Sequence, residues 1–482
     1  MKKFSTAGET APTSTHSSNT NTVKTIGLPG ILLILLFALL AYISKEFKYD
    51  IPAPEKPVLA LVSVLILSGL LYLITVYIVP RTELTGKQLI WIVLVGLALR
   101  FLMLVSTPML EDDFYRYLWD GSVASHGLNP YQYSPEQVIE NPRIPSELTG
   151  LKSESGEIIN RVNHPYLRSI YPPVAQGFFA ASSLIKPWSL TAWRLILLIS
   201  DLATLGLLFY SLRIIGLPSA MLIIYWWNPL LVKEIFNSGH LDVLVFPFVL
   251  GAIMLAGRNR YLSSAVSIAL GIGVKLWPAF LLPVIFKPLI FNPRKLIPAA
   301  LLFITLIIFL LIPVYISGLD ESSGFIAYGR RWQNNDSAFR ALVFISEHAL
   351  GILGYAAFHK YALARAIMAF LIILWVSVVT LKKSLGRDLF EKSLFIVAFV
   401  FLVSPAQFPW YYTWLVPFLT LRPRLSLLLP TLLLPLYYLR YYLEPRGYTG
   451  IFDNVVVWFE FVPVWILIFI EWKYGEKYIE RA

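Results

Sequence analysis

The stretch Val58–Val79, VLALVSVLILSGLLYLITVYIV, contains no charged side chain. An α-helix needs about 20 apolar residues to cross the hydrocarbon core of a bilayer. Inside lipid the backbone N–H and C=O groups must be satisfied within the segment, so a run this apolar predicts a helix and not a strand. Similar apolar runs recur along the chain, for example at Ile31–Tyr42. The sequence therefore predicts an all-α polytopic membrane protein.

The composition of the whole chain agrees with this prediction. Of 482 residues, 57% are hydrophobic and 14% are charged, and the mean hydropathy is +0.66. A soluble protein of this length needs more charge to cover its surface. The net charge of +11 comes from basic residues in short loops between apolar runs, where positive charge marks the cytoplasmic side. We therefore expect membrane lipids as partners and no nucleic acid. The chain contains no cysteine, which excludes disulfides and thiolate sites.

The positions of the basic residues also predict a topology. They place the N-terminus inside and give about 12–14 transmembrane helices. Residues 1–25, rich in Ser, Thr and Asn, are predicted to form a disordered cytoplasmic tail before a single transmembrane domain, 26–482. Two long polar segments, 108–170 and 318–360, then become extracytoplasmic loops, and the first of these is the larger.

Two apolar segments do not fit the charge alternation as spans. We predict that Pro172–Ile185 re-enters the membrane and that Ala338–Phe358 lies along its surface, with Leu363–Leu381 as the next span. With this topology the unusual polar motifs collect on the extracytoplasmic face. Ionisable residues at membrane depth are costly and tend to be functional, so we expect a single site on that face.

The most informative polar motif is EDDFYRYLWDG, Glu111–Gly121. If it is helical, one face carries residues at spacings of three and four: Asp113, Arg116, Tyr117 and Asp120. A carboxylate held there, Asp112 or Asp113, suits a general base that takes the proton of an attacking hydroxyl. The other carboxylate of the pair raises the pKa of this base, whereas Arg116 lowers it. The sequence therefore leaves the direction of its pKa shift open. The alternative is a solvated acidic cap on a surface helix.

Basic residues of the same face are candidates for binding a phosphate. Arg330 and Arg331 carry guanidinium groups that bind phosphate in a bidentate way, and Lys275 lies at the outer end of its span. The alternative is that these side chains snorkel to the lipid headgroups.

Other polar and aromatic residues have less specific interpretations. His240 and Asp242 are two apart, which is weak evidence for a metal site and favours a hydrogen-bonding role. Arg194 and Asp201 share a helix face and are predicted to form a buried ion pair, with Arg100 as a further candidate. A group of aromatic residues could line a sugar or isoprenoid site or form an interfacial belt: Trp332, Trp410, Tyr411 and Tyr412.

The ordered set of motifs resembles the GT-C superfamily of membrane glycosyltransferases, and within it the bacterial polyprenyl-phosphate-mannose-dependent mannosyltransferases. The residues that carry the resemblance are EDDFYRYLWDG (111–121), Gly127-Leu128-Asn129-Pro130-Tyr131, Asn163-His164-Pro165, Ile170-Tyr171-Pro172-Pro173 with Gln176, Asn228-Pro229, Gly239-His240-Leu241-Asp242, Lys275 with Pro278, and Arg331-Trp332 with Asn334. The second Asp is followed by Phe114, where the family more often has a small or β-branched residue, and the segment 136–160 is longer and more charged than in the family.

The resemblance implies a GT-C-like helical bundle with surface-lying helices in its first large outer loop. It implies an inverting transfer of a hexosyl residue, with mannose the commonest, from a polyprenyl-phosphate donor to a glycan or glycolipid acceptor outside the cell membrane. The base maps to Asp112 or Asp113, and Asp112 is favoured. No cofactor and no metal are expected, although some of the superfamily use a divalent ion. The motifs together give the predicted donor- and substrate-binding residues: Arg116, Tyr171, His240, Asp242, Lys275, Arg330, Arg331, Trp332, Asn334 and Tyr411.

Two other classes of function remain open. A transporter or lipid flippase predicts paired charges in broken helices near the membrane centre, and some trace of internal repeats. A polymerase or ligase acting on lipid-linked saccharides would share the outer site and its aromatic lining.

Overall fold

The computed structural model describes residues 15–79, 84–354, 357–383, 386 and 388–479. These residues form helices and turns without a β-strand, and one isolated bridge joins Asn334 to Ala406. The predicted all-α class is confirmed. Residues 1–14 of the predicted tail lie outside the described residues, and the first helix begins at Thr15.

Within the described part of the chain, seven helices are long and apolar enough to cross a membrane. They are Ile26–Phe47, Val58–Ile78, Gly86–Leu104, Leu190–Ile215, Pro293–Ile316, Lys360–Leu381 and Thr449–Gly475. An eighth candidate is bent by 102° between Pro229–Asn237 and Leu241–Gly257. This number is below the 12–14 expected from the sequence, because other apolar stretches form short helices instead of continuous ones. Seven or eight such helices fit a multi-pass membrane protein.

In the N-terminal half the α-helices are α1 (Thr15–Ile43), α2 (Val58–Ile78), α3 (Gly86–Leu104), α4 (Phe114–Ser125), α5 (Pro135–Glu140), α6 (Ser146–Glu154), α7 (Pro173–Ile185), α8 (Leu190–Ile215), α9 (Leu222–Trp226), α10 (Pro229–Val232), α11 (Phe246–Gly257), α12 (Tyr261–Val274) and α13 (Leu282–Phe286). Helices α4 to α6 belong to the first predicted outer loop, and α7 is the segment predicted to re-enter the membrane.

In the C-terminal half the α-helices are α14 (Pro293–Ile316), α15 (Gly324–Arg331), α16 (Ala338–Ile352), α17 (Lys360–Leu381), α18 (Leu389–Val403), α19 (Pro409–Tyr412), α20 (Val416–Leu421), α21 (Leu425–Leu428), α22 (Pro430–Leu433), α23 (Leu439–Leu443), α24 (Thr449–Ile451) and α25 (Val457–Ile479). The segment from α19 to α23 is broken into short helices because proline recurs in it, and each proline lacks the N–H that a continuous helix needs.

Helices α1 to α3 pack together, and the end of α9 packs against α3. A Cβ atom at Gly96 would overlap the ring of Trp226, so glycine is needed for this close approach. The guanidinium of Arg100 lies 3.4 Å from the centre of the Trp226 ring and pairs with Asp201.

The predicted ion pair between Arg194 and Asp201 is wrong. Asp201 is bound by Arg100 and by the hydroxyl of Tyr225, whereas Arg194 donates to the carbonyl oxygens of Leu104, Ser106 and Asn237. The physical reason is that the last carbonyl groups of a helix have no partner within it. Arg194 lies beside the end of α3 and satisfies them.

The break before α11 holds the start of the first outer loop in place. The polar sequence Asn237–Asp242 interrupts the helix, and Gly239 there has a φ of +79°. The side chain of Asn237 accepts from the backbone N–H of Met109 at 2.9 Å and donates to Thr107 at 2.7 Å. The residues just before the acidic motif are therefore fixed to the middle of the bundle.

Candidate functional site

A cavity of about 1210 Å³ lies between the segment 108–170 and helices α15, α17 and α18. Its lining includes nine of the predicted site residues, which come from distant parts of the sequence: Asp112, Asp113, Arg116, Tyr171, Lys275, Arg331, Trp332, Asn334 and Tyr411. Three predicted residues, His240, Asp242 and Arg330, do not line it. The volume exceeds the roughly 300–1,000 Å³ of ordinary small-ligand pockets.

The acidic pair lies at the start of α4 on one wall of this cavity. The side-chain amide of Asn163 donates to both carboxylates, at 3.0 Å to Asp112 and 2.7 Å to Asp113. The hydroxyl of Tyr171 lies 3.4 Å from the second oxygen of Asp113. The motif is helical from Phe114, and Asp113 precedes the helix. One amide therefore holds the two carboxylates side by side.

Burial raises the pKa of the acidic pair. The pKa of Asp112 is raised to about 6 by its burial and by the negative charge of Asp113, while the hydrogen bond from Asn163 opposes the shift. Burial also raises the pKa of Asp113, against the effects of Asn163 and of the Lys275 charge. The sequence left open whether the pKa values of the acidic pair are raised or lowered, and in the structure both are raised. A carboxyl group with a pKa near 6 is mostly ionised at neutral pH and is a stronger base than an exposed aspartate.

Arg116 makes a different contact from the predicted phosphate contact. Its guanidinium donates to three backbone carbonyls, those of Leu167, Asn163 and His164, at 3.0 to 3.1 Å. The side chain is 5% exposed. Arg116 therefore holds the loop that carries Asn163, and through Asn163 it positions the acidic pair.

Lys275 is a cation of the cavity whose side chain is 19% exposed. Its ammonium group lies 4.3 Å from the ring centre of Tyr411 and 2.5 Å from Asp242, which also accepts from the indole N–H of Trp414. Asp242 is 1% exposed and does not reach the cavity, so it positions Lys275 and does not contact a ligand there. Asp242 was predicted to bind the substrate directly, but in the structure it holds Lys275 from behind the cavity wall. His240 lies behind the wall too, stacked against Trp410.

The two neighbouring arginines of α15 differ in position. Arg331 lines the cavity with 60% of its side chain exposed, whereas Arg330 is 70% exposed and lies outside the lining. Both are within 4.0 Å of Glu321. Of these two arginines, only Arg331 can therefore contact a phosphate in the cavity.

Two residues after α15, Trp332 and Asn334, contact distant parts of the chain. The ring of Trp332 lies 4.7 Å from that of His164. The backbone of Asn334 bonds to Pro405 and Gln407, and its side chain accepts from Arg440. Asn334 is thus at the cavity wall, but its side-chain oxygen is already bound to the protein.

Sequence reasoning missed three arginines of the cavity, Arg168, Arg365 and Arg440. Arg168 donates to the carbonyl of Gly318 at 2.8 Å and so connects the segment 108–170 to the segment 318–360. Arg365 lies near the start of α17, and its Nε has no hydrogen-bond partner among the described residues. A single arginine inside an otherwise apolar span was the signal that could have found it.

In the described part of the chain, no three His, Asp or Glu side chains are grouped so as to hold a metal ion. The expectation that no metal is needed stays a prediction.

The sequence comparisons identify the class of protein. The chain is a glycosyltransferase, and its helices fit a multi-pass membrane protein. The family model described as alpha-(1->6)-mannopyranosyltransferase, N-terminal domain, matches residues 25–290, more than half of the chain. The chain belongs to this family, which confirms the resemblance to mannosyltransferases and supports transfer of a mannosyl residue to a glycan acceptor. No curated protein and no solved structure matches the chain. The matched range includes the acidic motif and Lys275 but ends before α15.

Proposed function

We propose that this protein transfers a mannosyl residue from a polyprenyl-phosphate carrier to a glycan or glycolipid acceptor on the extracytoplasmic face, by a GT-C type reaction that inverts the anomeric centre. The observation that carries the proposal is the single cavity that brings the acidic pair together with Lys275 and Arg331. A transfer from a phosphate needs a base for the acceptor and cations for the leaving group, and both are present there.

The base of this reaction is the acidic pair, with Asp112 as the favoured member. The acceptor hydroxyl oxygen attacks C1 of the mannose, the bond from C1 to the phosphate oxygen breaks, and the hydroxyl proton passes to the carboxylate. The raised pKa of Asp112 supports this role, because a carboxylate that binds protons more tightly removes the hydroxyl proton more effectively. One displacement with one base inverts C1 and requires no covalent intermediate on the protein.

The donor phosphate is held by Lys275 and Arg331, and Arg365 is added to them from the structure. The same cavity is lined by apolar side chains, among them Ile272, Leu276, Met368, Ile372 and Val400. An apolar lining beside cations fits a ligand with a charged head and a hydrocarbon chain. A soluble nucleotide sugar has no hydrocarbon chain to contact these apolar residues, so the lining supports a lipid carrier as the donor.

The positions of the basic residues support the extracytoplasmic location. In the sequence Arg81 precedes α3 and Lys87 is the second residue of α3, whereas the acidic pair that lines the cavity follows α3, so the basic residues and the cavity are at opposite ends of one span. Since basic loop residues favour the cytoplasmic side, the cavity is assigned to the other side, where a flipped lipid carrier is available.

The test is transfer of label from 14C-mannosyl polyprenyl phosphate by the purified full-length protein in lipid nanodiscs, with a mixed glycan acceptor. Wild type is compared with Asp112→Asn and with Asp50→Asn, a control whose side chain is 86% exposed. We expect labelled product with wild type and Asp50→Asn and none with Asp112→Asn. Donor binding by Asp112→Asn should persist, because the base acts on the acceptor.

Other outcomes would separate the alternatives. Binding of the carrier without transfer would contradict mannose as the donated sugar and direct the assay to other carrier sugars. Failure to bind any polyprenyl phosphate would contradict the proposed donor and favour a transporter. Normal turnover by Asp112→Asn would exclude Asp112 as the base.

A further inference from the structure

A group of buried ionisable side chains lies behind the acidic pair and has no part in the function proposed above. Lys233, Glu234 and His240 are all 0% exposed. The carboxylate of Glu234 accepts from the hydroxyl of Tyr438 and lies 3.5 Å from the ammonium of Lys233. Charged groups are rarely buried so completely without a function or a partner.

His240 lies between two carboxylates. Its Nδ1 is 3.7 Å from Oδ2 of Asp113, and its Nε2 is 3.6 Å from Oε2 of Glu234. Neither nitrogen has a hydrogen-bond partner among the described residues, although buried polar atoms are almost always bonded. The ring stacks on Trp410 with 4.0 Å between centroids and 14° between planes. This stacking fixes the plane of the imidazole, so that each nitrogen keeps facing one carboxylate.

The number of protons shared by His240, Asp113 and Glu234 decides whether both imidazole nitrogens can form hydrogen bonds. A neutral imidazole has one N–H and one lone pair. If Asp113 and Glu234 are both ionised, the lone pair of His240 faces a carboxylate and repels it. The arrangement is satisfied when the three groups hold one proton more, because one carboxyl group then donates to the lone pair. The geometry therefore favours uptake of a single proton.

The charges around the cluster decide which group holds an added proton. Burial and the cations Lys233 and Lys275 disfavour a positively charged imidazole, so the added proton is held by a carboxyl group. Facing the cluster are the cations Lys233 and Lys275 and the acidic residues Glu111, Asp112 and Asp242. Together with Asp113 and Glu234, the acids outnumber the cations. Burial and the nearby acids raise the pKa of Glu111 well above its usual range, against the effect of Lys233. An excess of buried acids makes an added proton favourable.

We propose that His240 passes the acceptor's proton from Asp113 to Glu234, so that the acidic pair is restored as a base before the product leaves. This inference rests on the function proposed above. Asp112 and Asp113 share the amide of Asn163 and bind protons as a coupled pair, so the proton can leave from Asp113. Nδ1 of His240 takes this proton, and the proton on Nε2 moves to Glu234. The total charge is unchanged, the imidazole has exchanged tautomers, and Glu234 holds the proton.

The test measures kcat and the KM for the donor as functions of pH and of imidazole concentration in nanodiscs. The variants are His240→Gln and Glu234→Gln, with His348→Gln as a control on the exposed side of α16. We expect both relay variants to lose about tenfold or more in kcat with little change in KM, since proton transfer and not binding is impaired. Added imidazole should restore part of kcat in His240→Gln and leave wild type unchanged.

A purely structural role would give a different result. It would lower the thermal unfolding midpoint, and added imidazole would have no effect on kcat. That result, or wild-type kcat in His240→Gln, would overturn the relay.

Proton sharing is also measured without activity, by infrared difference spectra of the full-length protein on acidification. Wild type should gain a protonated-carboxyl band that Glu234→Gln lacks and that appears at another pH in His240→Gln. Identical spectra in all three would overturn the relay. Absence of transfer by wild type would instead overturn the proposed function, which keeps the two failures distinct.

Discussion

The ammonium group of Lys275 lies 2.5 Å from the carboxylate of Asp242, which is 1% exposed. Removing one partner of such a pair leaves the other charge unpaired in the protein interior, whereas removing both avoids that cost. We expect Asp242→Asn to lower the free energy of unfolding by about 3 kcal/mol. The asparagine retains an oxygen that can accept from Trp414, so the loss reports on the charge.

The double variant Asp242→Asn/Lys275→Met separates stability from binding. It should recover much of the lost thermal stability, measured as the unfolding midpoint in detergent, and should still bind the donor poorly because the cation is gone. If the double variant were no more stable than Asp242→Asn, the buried pair would not be the cause.

The pKa of about 6 for Asp112 predicts the pH dependence of transfer. The base works only when ionised, so kcat/KM should fall as the pH drops through about 6, by about tenfold per pH unit below it. Asn163 stabilises the ionised form, so Asn163→Ala should raise the pKa and move the midpoint above pH 6. Asn141→Ala, which removes an exposed amide of the same loop, serves as the control. A midpoint that moved downward in Asn163→Ala would contradict this account.

Arg331 and its neighbour Arg330 provide a matched pair for the donor phosphate. Arg331→Ala should raise the KM for the donor by about tenfold, the size expected when a charge-assisted hydrogen bond is lost. Arg330→Ala removes the same charge from the same helix outside the cavity and should leave KM unchanged. Steady-state assays at fixed ionic strength distinguish the two. Equal effects would show that general attraction by positive charge, and not contact, is involved.

Gly121 allows α4 to pack closely on α7. A Cβ atom there would lie 2.5 Å from the backbone oxygen of Phe179, which cannot move aside alone. Gly121→Ala should therefore separate the two helices, lower stability by about 1–3 kcal/mol and reduce activity. Gly177→Ala on α7 is the control, because nothing lies within 4 Å of its added Cβ. A wild-type unfolding midpoint for Gly121→Ala would show that the helices can shift without cost.

The acidic motif shows how far sequence reasoning reached. The 3–4 spacing in Glu111–Gly121 showed which residues would share a face if the motif were helical, and the motif is helical from Phe114. The helical class and the mannosyltransferase resemblance were also correct. The described residues contain seven or eight helices long enough to span, fewer than the 12–14 predicted, and recurring prolines divide the apolar segment from α19 to α23 into short helices. Which carboxylate is the base, whether a metal is required and the face of the site stay predictions.

The sequence by itself determined what depends on neighbours along the chain: the long apolar helices such as Val58–Ile78, the start of α4, and the family. Only the tertiary structure decided which polar groups meet. In the folded chain Asp201 pairs with Arg100 and not with Arg194, and Arg116 donates to backbone carbonyls. His240 lies between Asp113 and Glu234. The physical reason is that helix formation responds to local spacing, whereas a buried charge takes whichever partner the folded chain brings within a few ångströms.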